Sequence, residues 1–351
     1  MTEGNGRPDA PEGGAQGAGL DIGVLSDTGR VRSINCDRTV AIGADALPAG
    51  VEAFIVVADG MGANRRGDTA SRLTAEIVPE RFVSELRAIA GPATRDQITA
   101  ALRAAMAAAN EAVWRAGQDD SELKGMGTTC VAAAIADGAA VLCHAGDSRA
   151  YCLSGSELVQ LTADHSLIQE LVPTADSSVD LEDRFGSVVT RGIGLSKLLE
   201  PDTVVARLGP ADALLLCTDG LSNLLSDRRI ASVLASSSDA ATACSALVSA
   251  ANEAGGLDNI GVAVCLGADH APRELGEQGS LVGPGEGARV SSRRRRRRRM
   301  GGYVAAIVVL AVLSLVLAAL LYVTDARVRR LEAALRQTRA RPAPTVAPGR
   351  K

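Results

Sequence analysis

Four aspartates stand where apolar runs begin or end, each beside glycine, serine or asparagine. They are Asp59 in Val57-Ala58-Asp59-Gly60, Asp147 in Ala145-Gly146-Asp147-Ser148, Asp219 in Cys217-Thr218-Asp219-Gly220, and Asp258 in Asp258-Asn259-Ile260. One such placement is first of all a turn signal. Four in one chain point to strand ends that converge and share their carboxylates. Carboxylates at short range cannot all stay ionised without a counter-charge. A hard divalent cation, Mg²⁺ or Mn²⁺, supplies that charge through oxygen ligands. With only three histidines, no HExxH and no CxxC, a zinc site finds no support. Neither a P-loop nor a GxGxxG after a strand is present, so nucleotide binding finds none either.

These carboxylates need a scaffold to hold them. Phe54-Ile55-Val56-Val57 reads as a buried strand, and Gly60 and Gly62 let the backbone turn or approach a ligand beyond Asp59. Short strands are also read at 22–25, 39–42, 128–135, 139–145, 149–153, 158–161, 204–208, 214–217 and 260–266. Asp137-Gly138 marks a hairpin between two of them. A helix is placed from Asp68 as N-cap, and a second from Thr94, where Thr94-Arg95-Asp96-Gln97 fits a capping box. Ile98, Ala101, Leu102, Ala105, Met106, Ala109 and Val113 recur at helical spacing and read as core. Ser238 or Asp239 caps a last helix ending near Gly255. Residues 172–184 are polar and aperiodic, which fits a flap or a long loop. Many hairpins and few βαβ units argue for an α+β fold of antiparallel sheets covered by helices.

Charge is divided unevenly along the 351 residues. Residues 289–351 hold 16 of the 37 Lys and Arg but only two of the 41 Asp and Glu. The remainder is strongly acidic, which disfavours nucleic acid as a partner. Seven cysteines, mostly inside apolar runs, read as reduced thiols. No basic-then-apolar signal peptide opens the chain. Residues 1–19 are read as a disordered tail, 20–267 as a globular domain and 268–302 as a flexible linker that includes the basic run Arg293 to Arg299. Tyr303 to Val323 carries no charge. At about 1.5 Å per residue it can span a bilayer core of about 30 Å. It is read as one transmembrane helix between interface tyrosines, followed by a short basic tail over 324–351. Positive residues beside the helix and reduced cysteines point to a cytoplasmic N-terminal domain on a cell-membrane anchor.

Eight stretches, in order, resemble the metal-dependent serine/threonine protein phosphatases of type 2C in their bacterial, membrane-anchored form. They are Ser26 to Arg32 with Asn35 and Asp37; Val57 to Gly62; Gly125 to Thr129; Ala145 to Tyr151; Leu161 to Ser166; Val189 to Gly194; Leu216 to Leu221; and Asp258 to Ile260. The resemblance covers about residues 23–266. It implies a four-layer α-β-β-α sandwich, with one C-terminal transmembrane helix added. It also implies two Mg²⁺ or Mn²⁺ ions. Asp59 would bridge both, the Gly60 carbonyl would bind one, and Asp219 and Asp258 would hold the other. Asp147 matches a position that, with Asp219, holds a third ion in bacterial relatives. Arg32 matches the phosphate-binding arginine, with catalysis assigned to Arg32 and Asp59 through a metal-activated water. Asp27 and Asp37 are turn or supporting groups, and His165 is a hydrogen-bonded structural residue. The family usually has Glu where Cys36 stands, glycine where Ala63 stands, and threonine where Gly261 stands. Cys36 is thus a supporting position from which a carboxylate is missing. The implied partners are phosphoserine and phosphothreonine proteins, membrane serine/threonine kinases and the bilayer, with the chain a monomer. The alternative is a pseudophosphatase, a membrane-anchored phosphoprotein-binding module, supported only by Cys36 and Ala63.

Overall fold

The computed structural model describes residues 16–17, 19–62, 65–167, 169 and 188–275. All belong to the first of the chain's two units, Met1–Arg289. The strands are β1 (Gln16–Gly17), β2 (Leu20–Asp27), β3 (Asp37–Gly43), β4 (Ala53–Met61), β5 (Gly127–Thr128), β6 (Cys130–Ala136), β7 (Ala139–Ala145), β8 (Arg149–Ser154), β9 (Glu157–Gln160), β10 (Asp202–Arg207), β11 (Ala213–Cys217) and β12 (Ile260–Leu266). The helices are α1 (Arg65–Arg87), α2 (Arg95–Asp119), α3 (Asp219–Ser222), α4 (Asp227–Ser236) and α5 (Ala240–Glu253). One sheet runs β1-β2-β12-β11-β8-β9 and the other β10-β7-β6-β4-β3, with β5 paired to β4. Every pairing is antiparallel.

The pleat explains the four layers. Ile55 and Val57 on β4 point between the sheets and meet Leu214, Leu216, Ala263 and Cys265 there. Phe54 and Val56 point the other way, onto α1 and α2. Leu215, Val262 and Val264 pack under α4 and α5. Central strands are therefore covered on both faces, which is why they read as unbroken apolar runs instead of alternating ones. The α-β-β-α sandwich inferred from the resemblance is present.

Local signals act where the sequence places them. Thr94 caps α2 with the reciprocal Gln97 bonds of a capping box, and the Asp239 side chain caps α5. Asp137 and Gly138 both take positive φ, 49° and 61°, and close the β6–β7 hairpin. One helix start differs. α1 begins at Arg65, so Asp68 is not its N-cap but lies in its first turn. Acid is favoured there by the helix dipole, and the Asp68 carboxylate takes the Arg38 guanidinium. The sequence reading places no helix between Cys217 and Ser238; α3 and α4 are both short, and Ser226 caps the second. Residues 267–275 leave the sheets at the end opposite the four aspartates. Arg273 Nη2 donates to Gly155 O at 2.7 Å in the β8–β9 turn. The aperiodic segment 172–184, the uncharged run 303–323 read as a membrane span, and most of the segments read as tail and linker lie outside the described residues; within the tail, Gln16–Gly17 pairs with β2. Among the described residues no helix is long and apolar enough to cross a membrane.

Candidate metal centre

One end of the paired sheets gathers the carboxylates. Asp59 is near the end of β4, and Asp37, the first residue of β3, is its register partner. Asp147 sits in the β7–β8 turn, Asp219 opens α3 directly after β11, and Asp258 stands two residues before β12. Two glycines let backbones meet here. A Cβ on Gly60 would lie 2.1 Å from Gly67 O, so β4 can end against the first turn of α1 only with glycine at this point. A Cβ on Gly220 would lie 1.9 Å from Asn259 O, and this contact brings Asp219 beside Asp258. Gly261 leaves room of the same kind, since a Cβ there would come within 3.2 Å of Asp37 Oδ2.

The carboxylates act on one another electrostatically. Burial first, and then the charges of Asp37, Asp219, Asp147 and Asp258, hold Asp59 well above the usual carboxylate range. Asp37 is pushed up to about 8, chiefly by burial and against a pull from the Thr218 hydroxyl, which donates to Asp37 Oδ2 at 2.8 Å. Burial and then Asp219 push Asp147 up to about 7. Asp219 is raised by burial and Asp258, opposed by its contact with Asp59 and by Arg149 and Arg32. Asp37 Oδ1 is buried without a hydrogen-bond partner. An all-oxygen donor set, mutual repulsion and an orphaned buried carboxylate oxygen are what a hard divalent cation relieves. The residues fit Mg²⁺ or Mn²⁺.

Arg32 is turned to Asp258. Its Nε donates to Oδ1 at 2.8 Å and its Nη2 to Oδ2 at 2.7 Å, a two-pronged pair between two half-exposed side chains. Asp37 is more deeply set than a turn residue, whereas Asp27 serves its loop, accepting from Gly29 N–H and Asn252 Nδ2. The Cys36 thiol faces the start of α1; burial and then Asp68 raise it, so it is no ready thiolate ligand. Ala63 lies outside the described residues.

Hydroxyls carry a role that sequence reading left unassigned. Thr128 Oγ1 donates to Asp59 O at 2.7 Å. Thr129 Oγ1 accepts from Asp59 N–H at 3.0 Å and shares a 2.6 Å bond with Ser148 Oγ. Thr129 thus ties the strand end bearing Asp59 to the turn bearing Asp147. The signal was the Gly125 to Thr129 stretch, which spacing alone could not connect to either carboxylate. Arg149 holds the start of β8 through three bonds to the Asp164 carboxylate.

His165 has the structural role inferred for it. Its Nδ1 accepts from Gly146 N–H at 3.2 Å, next to Asp147. This leaves the ring proton on Nε2, which faces Asp202 Oδ2 at 3.5 Å. His144 stacks on the same ring, and the ligating atoms of His144, His165 and Asp202 lie within 4.8 Å of one another. With Nδ1 engaged as an acceptor, Nε2 has no lone pair to offer an ion, so the trio reads as a brace for the Asp147 turn.

Comparisons with known proteins identify the family and the fold. The family model described as Protein phosphatase 2C matches residues 37–254. The serine/threonine phosphatase stp of Listeria welshimeri is 34% identical over 242 residues, covering 68% of this chain and 92% of its own. The structure of the Streptococcus agalactiae serine/threonine phosphatase superposes with a TM-score of 0.63 at 33% identity, over 70% of this chain and 99% of that one. The catalytic domain of the phosphatase PstP, solved in complex with two manganese ions, superposes with a TM-score of 0.58 at 30% identity, over 70% and 97% of the two chains.

Proposed function

Because the chain belongs to the protein phosphatase 2C family, we propose that it removes phosphate from phosphoserine and phosphothreonine proteins at the inner face of the cell membrane, opposing membrane serine/threonine kinases. Protein-serine/threonine phosphatase activity comes with the family. The ligand roles, the location and the partners are this reading's own.

The observation that carries the reading is the group Asp59, Asp147, Asp219 and Asp258 at one end of the sheets, with three of the four carboxyls held above their usual range. In this reading Asp59, the Gly60 carbonyl, Asp219, Asp258 and Asp147 would hold the Mg²⁺ or Mn²⁺ ions. When bound, the ions supply positive charge that activates an attacking water and neutralises the transferred phosphoryl group. The chain's own residues do the rest. Thr128 and Thr129 fix the backbone of Asp59, so its carboxylate needs no reorganisation during the reaction. Asp37, anchored by Thr218, supports the water shell from the buried side. Arg32, which forks onto Asp258 here, would offer the same planar fork to two phosphate oxygens.

The membrane location is supported by the uncharged run Tyr303 to Val323 and the seven arginines before it. Fractionation tests it: the full chain should pellet with membranes and resist a carbonate wash, and recovery in the supernatant would refute the anchor. Turnover of a phosphothreonine peptide by the full-length chain with Mn²⁺ tests the chemistry.

A further inference from the structure

Seven large apolar side chains are exposed among the described residues, and three of them stand on the two loops that carry Arg32 and Asp258. Val31 is 64% exposed, Ile34 44% and Leu257 60%. Exposed apolar residues scattered singly need no explanation. These are grouped: Val31 and Leu257 are the immediate chain neighbours of the two ion-pair partners, about 3.8 Å away from Cα to Cα.

The two loops are fastened to each other. Arg30 N–H donates to Gly256 O at 2.8 Å. Asn259 Nδ2 donates to Thr28 O at 2.8 Å and to Ile34 O at 3.0 Å. A Cβ on Gly29 would lie 2.2 Å from Asp258 O, so the backbones are in contact. The apolar side chains are thus presented on a braced rim, which lowers the ordering cost of covering them. The charges nearby are also arranged. Arg30 and Arg32 are the cations of the first loop, while Asp258 and Asp219 lie behind the pair. A phosphate held by Arg32 would bring the residues that flank it in an extended chain within about one or two residue lengths of the loops bearing Val31, Ile34 and Leu257. An aliphatic side chain there leaves water. An acidic one would lose water against apolar surface with no such gain.

We propose that Val31, Ile34 and Leu257 form a specificity rim that selects phosphoserine or phosphothreonine segments with an aliphatic residue next to the phosphorylated one. The inference rests on the phosphatase reading above and deepens it by naming the substrate class. It assigns the rim a part in binding the peptide, not in the chemistry.

The experiment uses the full-length chain with Mn²⁺. Three phosphothreonine peptides differ only at the two positions flanking the phosphothreonine, which are Leu, Ala or Asp. p-Nitrophenyl phosphate, which has no flanking residues, is run beside them. The wild-type chain should turn over the Leu peptide with a kcat/KM about tenfold above that of the Asp peptide, a size that one buried aliphatic side chain can supply. In the double variant Val31→Ser with Leu257→Ser, the ratio of Leu-peptide to aryl-phosphate kcat/KM should fall at least about fivefold, through KM. A melting curve matching the wild type shows that the variant is folded, as substitutions at exposed positions should allow. Equal use of the three peptides by the wild type, or an unchanged ratio in the double variant, overturns the rim while leaving the phosphatase reading intact. Failure to hydrolyse even the aryl phosphate overturns that reading, and the rim with it.

Discussion

Arg32 forks onto Asp258, with Nε and Nη2 at 2.8 and 2.7 Å from the two carboxylate oxygens. The two residues lie 226 positions apart in the chain, and each has a second task in the proposed reaction. Asp258 must turn to a cation, and Arg32 to a phosphate. Substituting Arg32→Ala should therefore raise KM for a phosphopeptide by about 10- to 100-fold, the range of a lost charge-assisted hydrogen bond. Arg32→Lys should recover only part of this, because an ammonium cannot fork. Calorimetric titration with Mn²⁺ should show affinity no weaker than the wild type, since Asp258 has lost its competitor. An unchanged KM would remove Arg32 from phosphate binding.

Metal-free stability should depend on pH in a definite direction. Asp37 and Asp147 hold their protons to about 8 and about 7 in the folded chain, and Asp59 and Asp219 are also raised. The folded state thus binds more protons than the unfolded state above about pH 4, and stability falls as pH rises from there through about 8. With a chelator present, the melting temperature should drop by at least about 4 °C between pH 5.5 and 8, about 1–2 kcal/mol for a domain of this size. Mn²⁺ should raise it most at the alkaline end, because its ligands must be deprotonated. A flat profile with chelator, and an equal rise with Mn²⁺ at both ends, would mean that the carboxylates do not share a site.

Thr129 joins Asp59 to the Asp147 turn through its bond with Ser148. Valine is close in shape and lacks the hydroxyl. Thr129→Val should raise the Mn²⁺ concentration for half-maximal binding, read by electron paramagnetic resonance, by about tenfold. Thr129→Ser keeps the hydroxyl and should stay within about twofold. Equal losses in both variants would point to packing and not to the hydrogen bond.

Cys36 stands where a carboxylate supports the water shell in similar proteins. Its surroundings, with Asp68 and Asp37 close by, already raise the thiol. A carboxylate placed there adds repulsion without metal and attraction with it. Cys36→Glu should lower the metal-free melting temperature and lower the Mn²⁺ concentration for half-maximal activity by about threefold or more. If both stay where they are, the position is neutral.

What was readable in the chain, and what was not, follows from the range of each interaction. Asp59-Gly60 ends an apolar run, Thr94 and Gln97 are three residues apart, and Asp137-Gly138 joins adjacent strands; each signal is local and each acts as read. The apolar runs also announced strands buried on both faces. Depth was harder to read. Asp37 was readable as a turn or supporting group but not as a buried one, because what buries it, Thr218 and Gly261, comes from the far end of the chain. The Thr129–Ser148 bond and the Arg32–Asp258 fork are long-range for the same reason. α4 went unread because its 10 residues make only about three turns, too short a stretch for its apolar face to stand out. Asp68 resembled a cap, but its partner Arg38 arrives from another strand.

The central claim is that Asp59 holds the ions that power hydrolysis. It is tested most directly by comparing the full-length wild type with Asp59→Asn on one phosphothreonine peptide, across a Mn²⁺ titration. The wild type should turn over only with metal. The Asn variant should lose at least about a thousandfold in kcat/KM at every Mn²⁺ concentration, while keeping a cooperative melt with chelator at or above the wild-type temperature, because an amide cannot ionise in this buried, acidic site. Metal-independent turnover by the wild type, or activity in Asp59→Asn within tenfold of it, would contradict the account.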